Sequence, residues 1–281
     1  MPRPTEATRF ALCFLLLLIF GSPFFSALLA PAQGFTLQIL STLLLYGLPL
    51  FGFWALGCRT TLTGRLRWPG LWPVLVGVLL GLFLQPTLML LSALSTLFFP
   101  NDVATALQSY QNGPFWQMAV SIALLPALLE ELTFRGVIFG SYSGLPFWQG
   151  ALASAALFAM SHLDGQQFFY AFVMGILLAF LAFRTGSLFP SMATHFTINF
   201  CQSTLAYVSS APTTSASWTW MDVVQVLPLT GITLAISLGL LLFLHHHLPA
   251  PKIMPGLAGR VLDGFFWAVV AIFLFFLIWT W

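Results

Sequence analysis

Long apolar runs, separated by short segments that contain glycine, proline or charged residues, set the pattern of this sequence. About 20 apolar residues are enough for a helix to cross the hydrocarbon core of a bilayer. Nine runs fit such helices, although the fifth is short. They cover residues 10–30, 36–57, 71–99, 115–139, 148–162, 168–183, 188–208, 223–244 and 265–281. We therefore predict an all-α fold, a polytopic transmembrane helical bundle of eight to nine spans.

The composition favours a membrane protein over other classes. Hydrophobic residues make up 59% of the 281 positions and charged residues only 6%, so the apolar surface exceeds what one soluble core could bury. We expect a single integral membrane domain over residues 1–281. The basic residues are scattered singly, which argues against a nucleic-acid partner. Cys13, Cys58 and Cys201 have no metal-type spacing and are interpreted as packing residues.

The first run has a second interpretation. Ala30 and Ala32 flank Pro31 in the small-x-small pattern of a signal-peptide cleavage site. The run is nevertheless long enough to span a bilayer, so we favour a retained first helix and keep cleavage as the alternative.

Basic residues predict the orientation, because Lys and Arg in short loops mark the cytoplasmic side of a membrane. With nine spans, all of them fall on one side. They are Arg3, Arg9, Arg59, Arg65, Arg67, Arg135, Arg184, Lys252 and Arg260. The opposite loops carry Asp102, Asp164 and Asp222. We predict a multi-pass integral membrane protein with a cytoplasmic N-terminus, in the plasma membrane if the organism is bacterial.

Residues 126–136 place three charged side chains in an apolar helix. An ionisable group in a membrane helix costs roughly 2.5 to 3.5 kcal/mol on insertion scales and marks a functional site. Glu131 and Arg135 are four apart, in the order that favours an intrahelical ion pair. Glu130 is rotated about 100° from its neighbour and has Phe134 one turn on. We therefore predict that Glu130 is the carboxylate free to act as a general base.

Pro126 lies one turn before these acids. It cannot donate a hydrogen bond to the carbonyl of Ile122, because proline has no backbone N–H. We predict a kink at this point, a freed carbonyl and a water pocket beside Glu130 and Glu131.

Two further apolar segments contain polar side chains. Phe158 and His162 close the fifth run, whereas His195 and Asn199, four apart, share one helix face in the seventh. Two neutral hydrogen-bonding side chains aimed at one point could stabilise a developing oxyanion. A structural interpretation stays open, because a lone histidine at a helix end is often interfacial and the ion pair beside Glu130 could be only intrahelical.

Counting residues from the helix ends also predicts how deep the polar side chains lie in the membrane. Glu130 and His195 lie at similar distances from the cytoplasmic ends of their helices, so they can meet, and the site is expected to act near the cytoplasmic side. His162 does not fit this count, because it falls near the outer end of its short run.

Taken together, the motifs resemble those of the CPBP intramembrane proteases. This family includes type II CAAX prenyl endopeptidases, bacteriocin-processing and self-immunity proteins, and the Abi group. The motifs are Glu130-Glu131-x-x-x-Arg135, Phe158-x-x-x-His162 and His195-x-x-x-Asn199. The segment 175–188 is similar to the one that leads into the third motif of the family. The resemblance covers about residues 115–207, which we interpret as the catalytic core.

The resemblance implies a role for each motif residue. Glu130, helped by His162, would activate a water for attack on a peptide carbonyl. His195 and Asn199 would hold the oxyanion. The residues expected to support the site are Glu131, Arg135, Phe134, Phe158 and Pro126.

The sequence leaves one alternative open for the cofactor and one for the function. We favour a glutamate mechanism without metal, because the sequence has no His-Glu-x-x-His element, but zinc held by Glu130, His162 and His195 is the alternative. The predicted activity is hydrolysis of a peptide bond in a membrane-associated or prenylated protein or peptide within the lipid bilayer. The rival is a non-enzymatic scaffold or bacteriocin-immunity factor that binds a peptide at the same polar cluster. A transporter comes third.

Overall fold

The computed structural model describes residues 4–29, 34–55, 65–100, 110, 113–209, 220–248 and 261–279. Helices make up 86% of this part of the chain and it contains no strand, which confirms the all-α class. The described residues form ten helices, numbered here in chain order. They are α1 (Pro4–Leu16, continued by Leu17–Gly21 and Ser22–Leu28), α2 (Gly34–Ala55), α3 (Leu71–Phe83), α4 (Gln85–Ser95), α5 (Phe115–Met118, Ala119–Leu124, Leu125–Glu130, Glu131–Ile138 and Phe139–Ser141), α6 (Phe147–Met160), α7 (Gly165–Thr185), α8 (Phe189–Val208), α9 (Trp220–His247) and α10 (Gly264–Trp279).

Each of the nine predicted runs overlaps one of these helices over most of its length, except that two helices share the third run. α3 and α4 meet at a bend of 43°, and Pro86 in the first turn of α4 explains the break, since it has no N–H to continue the ladder. Four helices of the described chain are long and apolar enough to cross a bilayer, and α3 with α4 would make a fifth as one broken span. The total of eight to nine spans stays a prediction.

One end of the bundle collects basic side chains. The carbonyl of Arg65 accepts a hydrogen bond from the Leu188 amide at 2.8 Å, and its guanidinium lies 5.3 Å from the centre of the Phe139 ring. Burial lowers the pKa of the Arg65 guanidinium to about 10. Arg184, in the last turn of α7, donates to the carbonyl of Leu248 at 3.0 Å. We call this the basic end.

The opposite end contains the 161–164 turn between α6 and α7, and we call it the Asp164 end. Here the Tyr207 hydroxyl near the end of α8 donates to the carbonyl of Gly113 at 3.1 Å, just before α5 begins. The predicted orientation stays a prediction. Several of its residues, together with one cysteine, lie outside the described part of the chain: Arg3, Arg59, Asp102, Lys252, Arg260 and Cys58.

Helices α6, α7 and α8 pack against α5. Small residues on α6 let α7 approach closely. A Cβ atom added at Gly175 of α7 would lie only 2.9 Å from Cα of Ala155, closer than real Cβ contacts allow. Glycine at this position therefore holds α6 and α7 at the distance that brings the second motif toward α5.

A second close contact fixes α8, which carries the third motif. Gly77 and Gly81 of α3 face α8, and a Cβ atom at Gly77 would lie 2.6 Å from the carbonyl oxygen of Pro190. The Thr194 hydroxyl donates to the carbonyl of Gly77 at 2.8 Å. Two glycines four apart allow such backbone approach between membrane helices, so the α3 backbone sets the position of the helix that presents His195.

Candidate active site

The backbone of α5 is irregular on both sides of the acidic motif. Ala119–Leu124 and Glu131–Ile138 are wound as π-helix, and the α-helical turn Leu125–Glu130 lies between them. Such wide turns are frequent at functional sites. A kink was predicted at Pro126, and the structure shows there a change from π-helix to α-helix.

The carbonyl next to this disturbance has a partner on α8. Asn199 Nδ2 donates to the carbonyl of Ile122 at 3.0 Å. This is the carbonyl that Pro126, four residues on, cannot satisfy. The proline therefore frees an acceptor, and that acceptor orients the carboxamide of the third motif.

Glu131 forms the expected ion pair with Arg135. The distance from Arg135 Nη1 to Glu131 Oε1 is 2.8 Å, and both side chains are fully buried. The Arg135 guanidinium also lies 4.3 Å from the centre of the Phe158 ring and donates to the carbonyl of Gly175 at 3.4 Å. A buried charge needs such compensation, so this pair links α5 to α6 and α7.

His195 lies between both glutamates. Its Nδ1 is 3.0 Å from Glu131 Oε1, and its Nε2 is 3.7 Å from Glu130 Oε2. With the Glu131 carboxylate already accepting from Arg135, Nδ1 is the donor to it, which leaves Nε2 facing Glu130. The pair of Glu131 with Arg135 and the approach of His195 to Glu130 were predicted, whereas the contact of His195 with Glu131 was not.

Glu130 has a partner that the sequence analysis missed. The hydroxyl of Tyr46 on α2 lies 3.2 Å from Glu130 Oε1 and donates to it. A signal was present, because Tyr46 lies near the middle of a predicted span although tyrosine prefers the membrane interface. The Glu130 side chain is 14% exposed, whereas that of Glu131 is 0% exposed.

His162 lies in the turn after α6, and its ring is fixed by Phe158. Its Nδ1 donates to the carbonyl of Phe158 at 2.9 Å, and the two ring centres are 5.0 Å apart. The proton on Nδ1 leaves Nε2 with a lone pair. The Phe158 ring also contacts Phe134, at 5.1 Å between centres, and His195, at 6.1 Å. Phe158 therefore packs against members of all three motifs.

One cavity of about 250 Å³ brings the four predicted catalytic residues together. Glu130, His162, His195 and Asn199 line it, as does Pro126, whereas the other four supporting residues do not. Water takes about 30 Å³ per molecule in the liquid, so the cavity has room for several. Five further polar side chains line it and were not predicted: Ser121, Gln167, Tyr170, Gln202 and Ser203.

The zinc alternative requires three converging ligands. In the described part of the chain, no group of three or more His, Cys, Asp or Glu side chains is placed to hold a metal ion. Glu130, His162 and His195 share the cavity without forming such a group. The arrangement does not fit a zinc centre.

Comparison with known proteins adds one finding. Residues 112–201 match the family model described as type II CAAX prenyl endopeptidase Rce1-like. The matched segment contains all three motifs and confirms the resemblance drawn from them. No curated protein and no solved structure matches the chain.

Proposed function

We propose that this chain, whose residues 112–201 carry an Rce1-like domain of the CPBP family, is an intramembrane endopeptidase with Glu130 as general base. The observation that carries the proposal is the shared cavity of Glu130, His162, His195 and Asn199 inside a bundle of apolar helices. Of the two adjacent acids, Glu130 lines the cavity, whereas Glu131 is buried behind it and paired with Arg135.

In the proposed reaction, Glu130 accepts a proton from a water as the water oxygen attacks the peptide carbonyl of the substrate. The lone pair on His162 Nε2 can accept the second hydrogen of that water and hold its oxygen toward the carbonyl. The new C–O bond forms and the carbonyl oxygen becomes an oxyanion. Glu130 then gives its proton to the amide nitrogen as the C–N bond breaks, which returns the carboxylate.

The oxyanion would be stabilised by the third motif. Asn199 Nδ2 has two hydrogens, and the bond to the Ile122 carbonyl uses one of them. The other remains for the oxyanion. His195, whose Nδ1 contacts Glu131 and whose Nε2 lies beside Glu130, would be the second donor to the oxyanion when Nε2 carries a proton. Losing one such donor costs about 10²- to 10³-fold in kcat.

The substrate class follows from the site being embedded among membrane helices. We propose a membrane-associated protein or peptide, and a neighbouring groove supports a prenylated one. This groove, of about 580 Å³, is almost entirely apolar and is lined by side chains of α7 and α9. Met174 lines both the groove and the cavity, and Ile198, three residues after His195 on α8, lines the groove. An isoprenoid chain in the groove would place an attached peptide beside Glu130.

The proposal is tested by comparing membranes that contain the wild-type protein with membranes that contain Glu130→Gln. Proteomics of new peptide termini should detect cleavage products only with the wild type, and Glu6→Gln, whose carboxyl lies outside the cavity, should behave as wild type. Products at wild-type levels with a folded Glu130→Gln variant would exclude Glu130 as the general base, whereas the same termini with and without the wild-type protein would support the scaffold. A prenylated and an unprenylated form of any substrate found would then test the groove.

A further inference from the structure

A second cavity lies between α1 and α2 and is separate from the cavity of the three motifs. It has a volume of about 640 Å³ and is lined by one face of α1, from Glu6 to Leu17, and by Pro49, Gly52 and Phe53 of α2. We call it the α1–α2 groove. None of its lining residues lines the cavity of Glu130. A molecule held here would therefore be a second ligand beside the substrate.

The α1–α2 groove has a charged mouth and an apolar interior. The charged side chains are those of Glu6 and Arg9, and both are exposed. The mouth is at the basic end, because Phe10 packs with Val137, two residues before the Phe139 ring that Arg65 covers. The far end of the groove is eight residues beyond Arg9, roughly 12 Å further along the helix. This shape fits an amphiphile with its head at the mouth and its chain pointing into the membrane.

The two charges at the mouth select the head of the amphiphile. The Arg9 guanidinium attracts a phosphate, with which it forms strong hydrogen bonds. Glu6, three residues earlier on the same helix face, repels a head of net negative charge. A head that carries both a phosphate and an ammonium matches this pair of charges. The occupant that fits best is therefore a zwitterionic phospholipid, whose acyl chain matches the apolar interior.

The wall of the groove is connected to the general base through three aromatic rings. Phe10 lines the groove and stacks on Phe14, with 6.3 Å between ring centres. The Phe14 ring, only 1% exposed, contacts the ring of Tyr46 at 5.0 Å. The Tyr46 hydroxyl then donates to Glu130 Oε1 at 3.2 Å. A chain in the groove would support the rings against which Tyr46 packs.

We infer that the α1–α2 groove binds one zwitterionic phospholipid, with the phosphate at Arg9 and an acyl chain along Phe10. By holding the stacked rings in place, the bound lipid keeps the Tyr46 hydroxyl on Glu130. The binding of the lipid follows from the shape and charge of the groove alone. Its effect on turnover rests on the function proposed above, because it acts through the general base.

Lipid retention by the purified protein tests the site without measuring cleavage. The protein is exchanged into detergent micelles with equal amounts of phosphatidylethanolamine and phosphatidylglycerol and analysed by native mass spectrometry. Gly52→Phe places a ring in the groove, since nothing lies within 4 Å of a Cβ atom added there. Gly47→Phe is the matched control on the same helix, because its added Cβ also meets nothing and Gly47 does not line the groove. Arg9→Gln removes the partner of the phosphate.

We expect the wild type and Gly47→Phe to retain one phosphatidylethanolamine per chain. Gly52→Phe should retain about tenfold less, the factor for displacing two methylene groups of the chain. Arg9→Gln should retain about threefold less, as for the loss of an exposed ion pair. Glu6→Gln should keep a lipid but lose the preference for phosphatidylethanolamine. Equal retention by folded Gly52→Phe and Gly47→Phe, or by Arg9→Gln and the wild type, overturns the inference.

The effect on the general base is measured by returning phosphatidylethanolamine to delipidated protein. The kcat of the wild type and of Gly47→Phe should rise by up to about tenfold, the factor for one hydrogen bond to a charged group. Gly52→Phe and Tyr46→Phe should not respond. An equal response of Tyr46→Phe and the wild type would refute the link to Glu130. Normal cleavage by Glu130→Gln would refute the proposed mechanism and leave the retention results standing.

Discussion

Asn199 on α8 donates a hydrogen bond to the carbonyl of Ile122 on α5, to which Pro126, four residues on, has no N–H to donate. A proline in the first motif helix thus orients a side chain of the third motif. The two segments are 77 residues apart in sequence. The missing backbone N–H of Pro126 thus helps to orient the Asn199 side chain, as a dedicated side-chain partner would.

Replacing the proline should therefore separate stability from activity. In Pro126→Ala the new amide N–H can bond to the Ile122 carbonyl and compete with Asn199. We expect stability in detergent to stay the same or rise by about 1 kcal/mol, while kcat falls. Asn199→Ala should lower kcat by about 10²- to 10³-fold through direct loss of the donor. Thermal unfolding and steady-state kinetics of both variants make the comparison, and a Pro126→Ala enzyme with normal kcat would contradict it.

The two adjacent glutamates should differ in what their loss costs. Removing one member of a buried ion pair typically costs about 3 to 5 kcal/mol, because the other charge is left unpaired. Glu131→Gln and Arg135→Ala should each lower the folded yield, and the double variant should be less harmful than the sum of the two. Since Glu131 also holds His195, the double variant should recover yield without recovering turnover. Size-exclusion profiles and kcat measure both effects, and independent, additive losses would refute the coupling.

Tyr46 should act as a positioning residue for Glu130. Tyr46→Phe removes the hydroxyl that donates to Glu130 Oε1 while keeping the ring that packs against Phe14, at 5.0 Å between centres. We expect kcat to fall about tenfold, the equivalent of about 1.4 kcal/mol, with KM and thermal stability nearly unchanged. Tyr207→Phe, which loses a hydroxyl bonded to a backbone carbonyl outside the cavity, is the matched control. Equal effects of the two changes on kcat would show that Tyr46 does not position Glu130.

The contact between α3 and α8 should be sensitive to one methyl group. In Gly77→Ala the new Cβ would lie 2.6 Å from the backbone oxygen of Pro190, which cannot move without moving α8. Overpacking of this kind costs about 1 to 3 kcal/mol, and we expect activity to fall with stability. Gly231→Ala, where nothing lies within 4 Å of the added Cβ, should change neither. Indistinguishable melting temperatures for the two variants would contradict the close approach.

Metal content should discriminate the two mechanisms weighed from the sequence. We expect purified protein to carry substoichiometric zinc, and chelators that leave the fold intact to leave cleavage intact as well, because Glu130, His162 and His195 do not form a metal-binding group. Elemental analysis and an activity assay before and after chelation provide the measurement. Activity lost with the metal and restored by zinc would identify these three residues as ligands.

The local part of the site was predictable, and the part that depends on tertiary contacts was not. The spacing of Glu131 and Arg135 was enough to predict their ion pair, since both lie on one helix. The same reasoning assumed a regular α-helix and predicted only that Glu130 and His195 could meet. It missed the contact of His195 with Glu131, the first residue of the π-wound segment. The bond between Tyr46 and Glu130 joins helices 84 residues apart, and no spacing rule reaches that far. The position of Pro126 predicted a free carbonyl at Ile122 but not that Asn199 would bind it.

The ion pair within α5 also bears on how the protein enters the membrane during synthesis. Glu130, Glu131 and Arg135 give this helix a net charge of minus one, and the pair forms within four residues, before any later helix exists. Tyr46, the hydroxyl partner of the remaining acid, leaves the ribosome earlier, on α2. His195 follows 64 residues after Glu131. The most polar helix can therefore leave the translocation machinery nearly balanced in charge, and the arrival of α8 completes a site whose acids are already in place.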